Sequence, residues 1–472
     1  MDGTFRRRIP AGSVVASTEL PAVPEPLWPN FVTQLRMTEI PAVYRRFASV
    51  IGKDRWERRV AQMDTAIRNS PLLNNHLHSE NAVAYALLRC GELIEERGSL
   101  PDAVPASLEL YQAIAFARQV LWMMDAATPV EAERMRSRAR DALENPDAMR
   151  GLRLELTLAT HFARRGLQLQ WPEMVGGGTF DLLIPQYGER GLEIECKSIS
   201  NDKGRSIHRH EAIAVLQLLV RLLEPISASL RVGLRVVLTV PRRLPTRHEH
   251  RVALAQRILQ QVLIGTSAQL PDGSDIRIGE FDPVASGNAS KDGFMSSADL
   301  VTAAGSGNRE TIVIVGGQGG ALVVILQSFL GDDVVKATFA TLHDAAKRQL
   351  TAKRPGLLAV GFDGLTPAQL RSIAEQDNDP AQPPTALRRP VSRLLSAPHR
   401  NHLIGVALLS RGEMQPPAAD FVDSAGASYY FPNRTSRFWH ADFSGLFHPL
   451  RPLYQPAPID GGSRLSCGSS IE

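Results

Sequence analysis

Cysteine is scarce. Cys90, Cys196 and Cys467 stand far apart in 472 residues, which excludes a disulfide framework and a CxxC zinc site and favours a reducing, cytoplasmic setting. Long apolar runs are missing too. No stretch reaches the ~18 uninterrupted apolar residues that span a bilayer, and Ile312 to Leu330 is broken by Gly316, Gly317, Gln318, Gly319 and Gly320. No membrane partner is expected. No apolar signal-peptide core follows Arg6, Arg7 and Arg8; Pro10, Pro21, Pro24, Pro26 and Pro29 come instead. Charge of one sign is also in short supply. Lys plus Arg number 53 against 49 Asp plus Glu, too small an excess to select an anionic partner by itself. What remains is ordinary globular composition, 43% hydrophobic and 22% charged, which excludes wholesale disorder and fibrous repeats. At roughly 100 to 200 residues per domain, the length allows about two to four domains.

Residues 1–30 read as a flexible leader. From 31 to 145 apolar residues recur at three- and four-residue spacing, as in Val83, Ala84, Leu87, Leu88, Leu93 and Ile94, which predicts a helical domain. Thr128 and Pro129 form an N-cap with proline at the first helical position. From 146 to 284 the pattern becomes α-β-β-α and then mixed: a helix near Ala148 to Gly166, strands at Thr179 to Pro185 and Leu192 to Ile199, and a helix near Glu211 to Leu223. Residues 285–308, rich in Ser, Gly, Ala and Asp, read as a linker. A second α/β region is predicted over 309–455, and a flexible tail over 456–472. The fold class is α/β with mixed elements and no fixed-period repeat.

The chemistry concentrates in GGGTFDLLIPQYGERGLEIECKSIS, Gly176 to Ser200. Side chains alternate along a strand, so Leu192, Ile194 and Cys196 share one face while Glu193, Glu195 and Lys197 share the other. A hairpin through Gly188 and Gly191 brings Asp181 to the Glu195 and Lys197 face. Two carboxylates and an ammonium on a strand pair suit a hard divalent cation, which takes oxygen ligands and keeps several waters. Such a cation offsets charge developing on a phosphate and acidifies water. On the preceding helix, Glu155 borders an apolar stripe of Leu152, Leu156, Ala159 and Phe162, and a carboxylate so placed needs a partner or a task.

This order resembles the PD-(D/E)XK nuclease superfamily: Glu155 on a helix, Asp181 on a first strand, Glu195-Cys196-Lys197 on a second, then a helix with Gln217. It is most similar to the branch of Mrr-type restriction nucleases and archaeal Holliday junction resolvases. The resemblance spans about Met149 to Pro225, under a fifth of the chain, and Phe180 stands where many members have proline. It implies a restriction-endonuclease-like αβα core flanked by the N-terminal helical domain and the C-terminal α/β region. It further implies Mg²⁺-dependent hydrolysis of DNA, endonucleolytic rather than exonucleolytic, with Mn²⁺ able to substitute, in restriction or defence against foreign DNA. Asp181, Glu195 and Glu155 would serve the metal, Lys197 the attacking water, and Gln217 would match a helical glutamine of Mrr-like members. The alternative is an inactive nuclease fold acting as a scaffold for nucleic acid or protein. The helical domain offers a surface for a homodimer or protein partner.

Other motifs have plainer readings. His208, His210 and Glu211 lack an identifiable further zinc ligand. His76 with His78, and His248 with His250, face apart on helices. The glycine run from Gly316 to Gly320 lacks the GxxxxGK[ST] pattern and reads as a tight hairpin. Cys196 reads as a buried, inert thiol. Lys203, Arg205, Arg209, Arg242, Arg243, Arg247 and Arg251 are candidates for phosphate contact, or scattered surface charge.

Overall fold

The computed structural model describes residues 35–102, 107–283, 296–305, 310–316, 318–418 and 421–448. The expected leader through residue 30 and the tail from 456 lie outside these residues. Helices α1 (Ile40–Phe47), α2 (Asp54–Asn69), α3 (Asn74–Glu80), α4 (Ala82–Arg97), α5 (Leu108–Ala126) and α6 (Pro129–Glu144) form the helical region. Its core is built on Trp56, Phe47, Phe116 and Tyr111, all nearly without exposed surface. The start of α6 follows the sequence: Thr128 caps it and Glu131 reaches back, closing a capping box with Pro129 at N1.

Helix α7 (Pro146–Ala163) joins this region to the rest. Its Leu152 and Leu156 pack into the helical core, while Leu154, Leu158 and Phe162 pack on a sheet. Buried Gln119 on α5 donates to Thr160 on α7 at 3.0 Å. The helical region therefore shares a packed helix with the neighbouring sheet, and residue 145 is not a gap between cores. After α8 (Pro172–Val175), the sheet begins with β2 (Leu182–Ile184) and β3 (Leu192–Ile199), following a short β1 (Leu35–Arg36).

The remaining elements are α9 (Arg209–Ser227), β4 (Gly233–Val240), α10 (His248–Ile264), β5 (Ala268–Gln269), β6 (Asp275–Phe281), α11 (Ser297–Ala303), β7 (Thr311–Val315) and β8 (Ala321–Ser328). They continue with α12 (Val334–Arg348), β9 (Gly356–Phe362), α13 (Pro367–Asn378), α14 (Arg388–Leu395), β10 (Leu403–Leu409), β11 (Glu413–Ala418), β12 (Phe421–Ala425) and β13 (Ser428–Pro432). The class is α/β, as the pattern of elements predicts. Two mixed five-stranded sheets run β13-β10-β9-β3-β2 and β5-β6-β4-β8-β7; a small antiparallel sheet runs β1-β12-β11.

Neither large sheet respects the expected division at 285–308. Strand β3 pairs in parallel with β9, Glu195 opposite Leu358, although the whole second sheet lies between them in sequence. Likewise β4 pairs in parallel with β8 across the expected linker, part of which forms α11. The second sheet is thus an insertion into the first. Its entry and exit lie together: Asp333 N–H donates to the Gly204 carbonyl at 2.8 Å, and Asp332 accepts from Ser206 N–H at 2.9 Å and pairs with Arg205 at 2.5 Å. Local hydrophobic period reports each strand but not its partner, so a contiguous division was the natural reading of an interrupted one.

The first sheet is covered on one face by α7 and on the other by α12, α13 and α14, through Phe339, Leu342, Leu370, Val391 and Leu394. Gly361 on β9 permits the α7 contact, since a Cβ there would lie 2.9 Å from Leu154 Cδ1. On the second sheet, α9 and α10 bury Leu216, Leu219, Leu254 and Ile258 against Val236, Leu238 and Val324. The Gly316 to Gly320 segment does close a hairpin: Val315 opposes Ala321, and Gly316 N–H donates to the Gly320 carbonyl at 2.8 Å. Gly317 itself lies outside the described residues. No helix among the described residues is long and apolar enough to cross a membrane.

Candidate active site

The antiparallel pair β2 and β3 sets Leu182 opposite Ile194 and Ile184 opposite Leu192, so Asp181, one residue before β2, arrives beside Glu195. Its Oδ2 accepts the Cys196 backbone N–H at 2.7 Å. Alternation holds from Leu182 onward but not before it: Leu182 and Ile184 pack beneath α7, whereas Phe180 crosses to the cluster around α12. Phe180 precedes the strand, and its backbone is not bound to the pleat.

Leu192, Ile194 and Cys196 face α7, as the pleat requires. The opposite face is not a solvated row of charges. Glu193 and Glu195 have no exposed surface. Glu193 serves structure: it accepts from Thr351 N–H at 2.8 Å and Thr351 Oγ1 at 2.5 Å. Glu195 instead meets Lys197 Nζ at 2.6 Å, and its Oε2 has no hydrogen-bond partner. Lys197 remains partly open to solvent, at 23% of its side chain.

Glu155, 5% exposed, approaches from α7. Its Oε1 accepts from Arg138 at 2.6 Å, while Oε2 is buried without a partner. Burial, then the Asp181 charge, pushes the Glu155 carboxyl up to about 7 against the pull of Arg138. Burial and Asp181 push Glu195 up to about 8 despite Lys197. Asp181 is also raised, chiefly by burial, with the Cys196 N–H and Lys197 opposing. Three carboxyl groups that resist ionisation surround one end of a strand pair, a concentration typical of functional sites.

All their donors are oxygens, which suits a hard divalent cation. Yet among the described residues no group of three or more His, Cys, Asp or Glu side chains is gathered closely enough to hold a metal ion. The expected three-carboxylate set is therefore not assembled as a cage. Glu155 is paired with Arg138 and Glu195 with Lys197, each at 2.6 Å, and Asp181 and Glu195 are the two carboxylates on adjoining strands. Arg138 is the residue that sequence reading missed. Its signal was its place on α6 beside buried Met135 and Ala139, where a long cation must find a partner or reach water.

Gln217 departs from expectation. The resemblance assigns it to the helix after β3, but that helix, α9, belongs to the inserted sheet. Gln217 Oε1 accepts from Ser70 Oγ at 3.0 Å and Leu72 N–H at 3.4 Å, tying α9 to the helical region. On the face of β3 and β9 opposite α7, the helix that packs is α12. Cys196 is a buried thiol raised far above its usual range by burial, in keeping with an inert role. His248 and His250 are exposed, and His208, His210 and Glu211 form no metal group among the described residues. Of the basic residues, Arg205 pairs with Asp332, Arg209 with Glu310 at 2.8 Å, and Arg251 Nε donates to the Pro245 carbonyl at 2.7 Å. Arg242, Arg243, Arg247 and Lys203 are exposed.

Compared with protein-family models, curated proteins and solved structures, the chain matches none.

Proposed function

We propose that the chain is a metal-dependent DNA endonuclease of the PD-(D/E)XK type, its restriction-endonuclease-like core made by α7, β2, β3, α12 and β9. One observation carries this reading. Glu155 and Glu195 each bury a carboxylate oxygen with no partner, beside Asp181, in a place where ionisation is disfavoured for all three. A buried unpaired carboxylate oxygen costs the fold on the order of 1–3 kcal/mol, and a cation held by Asp181 and Glu195 removes that cost at Glu195. Asp181 and Glu195 would hold Mg²⁺, or Mn²⁺ in its place, with water completing the shell. Bound there, the ion supplies charge opposite the phosphate and acidifies water. Lys197, reaching solvent while anchored on Glu195, orients water and offsets phosphate charge. Glu155, held by Arg138, fixes the electrostatic setting from the helix side.

A second reading has an observation of its own. Lys197 and Arg138 already lie on Glu195 and Glu155 at 2.6 Å each, as internal counter-ions of an inert nuclease fold would. Incubation of circular DNA with Mg²⁺, with and without chelator, separates the two. Nicking that the chelator abolishes supports the enzyme; DNA binding without nicking supports the scaffold. Restriction or defence is the biological role that the proposed family suggests.

A further inference from the structure

The ends of β4 and β8 in the inserted sheet carry an unusual surface. Phe329 and Leu330 are 60% and 53% exposed, although an apolar side chain of this size gains about 1.5–3 kcal/mol from burial. Their backbone is well held: Phe329 N–H donates to the Val240 carbonyl at 2.9 Å, and Leu330 N–H to Ser328 Oγ at 3.0 Å. Ser328 Oγ in turn donates to the Arg242 carbonyl at 2.6 Å. These bonds fix the Phe329 backbone next to Pro241, Arg242 and Arg243, and exposed Arg242, Arg243 and Arg247 lie within one short connection to α10. Of the acids close by in sequence, Asp332 is engaged by Arg205 and Ser206 and Asp333 by Lys336 at 3.2 Å, while Glu249 is exposed at the start of α10. Both strands are parallel and present their carboxyl ends here.

An exposed, backbone-anchored aromatic residue beside a connection that carries three exposed arginines matches the chemistry of a single nucleic-acid strand. A base stacks on the ring while guanidinium groups meet the phosphates on either side. We propose that this edge of the inserted sheet, centred on Phe329 with Arg242, Arg243 and Arg247, binds single-stranded DNA. An acidic peptide would use the arginines but would not need the ring. This surface is carried by the second sheet and the carboxylates by the first, and in chelator its binding is read without cleavage.

The test uses the full chain in chelator, so that cleavage plays no part, with a fluorescently labelled thirty-nucleotide oligo-dT and a duplex of equal length. Phe329→Ala should weaken oligo-dT binding about tenfold, equivalent to about 1.4 kcal/mol, and leave its salt dependence unchanged. Phe329→Trp should restore it. Arg242→Ala with Arg243→Ala should reduce the slope of log affinity against log salt by about 1.4, at roughly 0.7 for each phosphate no longer neutralised. Both positions are exposed, and unchanged thermal unfolding verifies the fold. Equal affinity of Phe329→Ala and the unaltered protein overturns the proposal, as does absence of oligo-dT binding at low salt. Loss on the arginine changes alone, matched by binding to a polyglutamate peptide, assigns the edge to acidic protein instead and also overturns it. Loss of cleavage in Asp181→Ala with oligo-dT binding intact bears only on the carboxylate site.

Discussion

Replacing Glu195 by glutamine should make the protein more stable at alkaline pH. In the unfolded chain a glutamate titrates near its ordinary 4.5; in the fold, burial and the neighbouring Asp181 move Glu195 to about 8. The folded state therefore holds more protons than the unfolded one between these values. The stabilising contribution is complete below about 4.5 and is lost as pH rises through about 8. At about 1.4 kcal/mol per unit, ionising Glu195 costs the fold on the order of a few kcal/mol. Glu155, at about 7, adds to the same trend. Glutamine keeps the shape and removes the charge; Lys197, partly exposed, can turn to water. The assay is the urea midpoint from pH 5.5 to 9 for the unaltered protein and Glu195→Gln, with and without Mg²⁺. The unaltered protein should weaken steeply toward pH 9, the variant much less, and Mg²⁺ should restore only the unaltered protein. Parallel pH profiles, or equal rescue by Mg²⁺, would refute the argument that this carboxyl is a strained acid awaiting a cation.

Arg138→Ala should destabilise by about 3 kcal/mol, because it strands buried Glu155, and Arg138→Ala with Glu155→Gln should recover part of that loss in the same unfolding assay. Gln217→Ala should cost about 1 kcal/mol through its bonds to Ser70 and Leu72 while leaving DNA cleavage unchanged; a large loss of cleavage would return Gln217 to the site. Cys196→Ser should retain substantial nicking activity, since the thiol packs beneath α7 and contacts no reacting group.

What was legible in the sequence was local. The three- and four-residue period yielded a helical domain over 31–145 and the helix near Ala148 to Gly166 that is α7, the Thr128 and Pro129 pair yielded a helix start, and alternation yielded β2, β3 and the neighbourhood of Asp181 and Glu195. Strand partnership was not legible, because β3 finds β9 only after a whole sheet has intervened, and nothing in the Leu192 to Ile199 pattern encodes that distance. Gln217 was misplaced for the same reason: the next helix in sequence is not the next helix in space. Burial of Glu193 and Glu195 was hidden as well. Strand alternation says which face a side chain takes, whereas the cover over that face comes from α12, about 140 residues later. Arg138 escaped because its role depends on α6 lying against α7, a tertiary fact.

The most direct measurement is the nicking of supercoiled circular DNA in Mg²⁺ by the unaltered protein, Asp181→Ala and Lys197→Ala, each checked for its fold and for DNA binding in chelator. The account predicts chelator-sensitive nicking by the unaltered protein, loss of most of it in both variants, and DNA binding that survives in both. Folded, DNA-binding protein that nicks nothing, or an Asp181→Ala protein that nicks as well as the unaltered one, would contradict it.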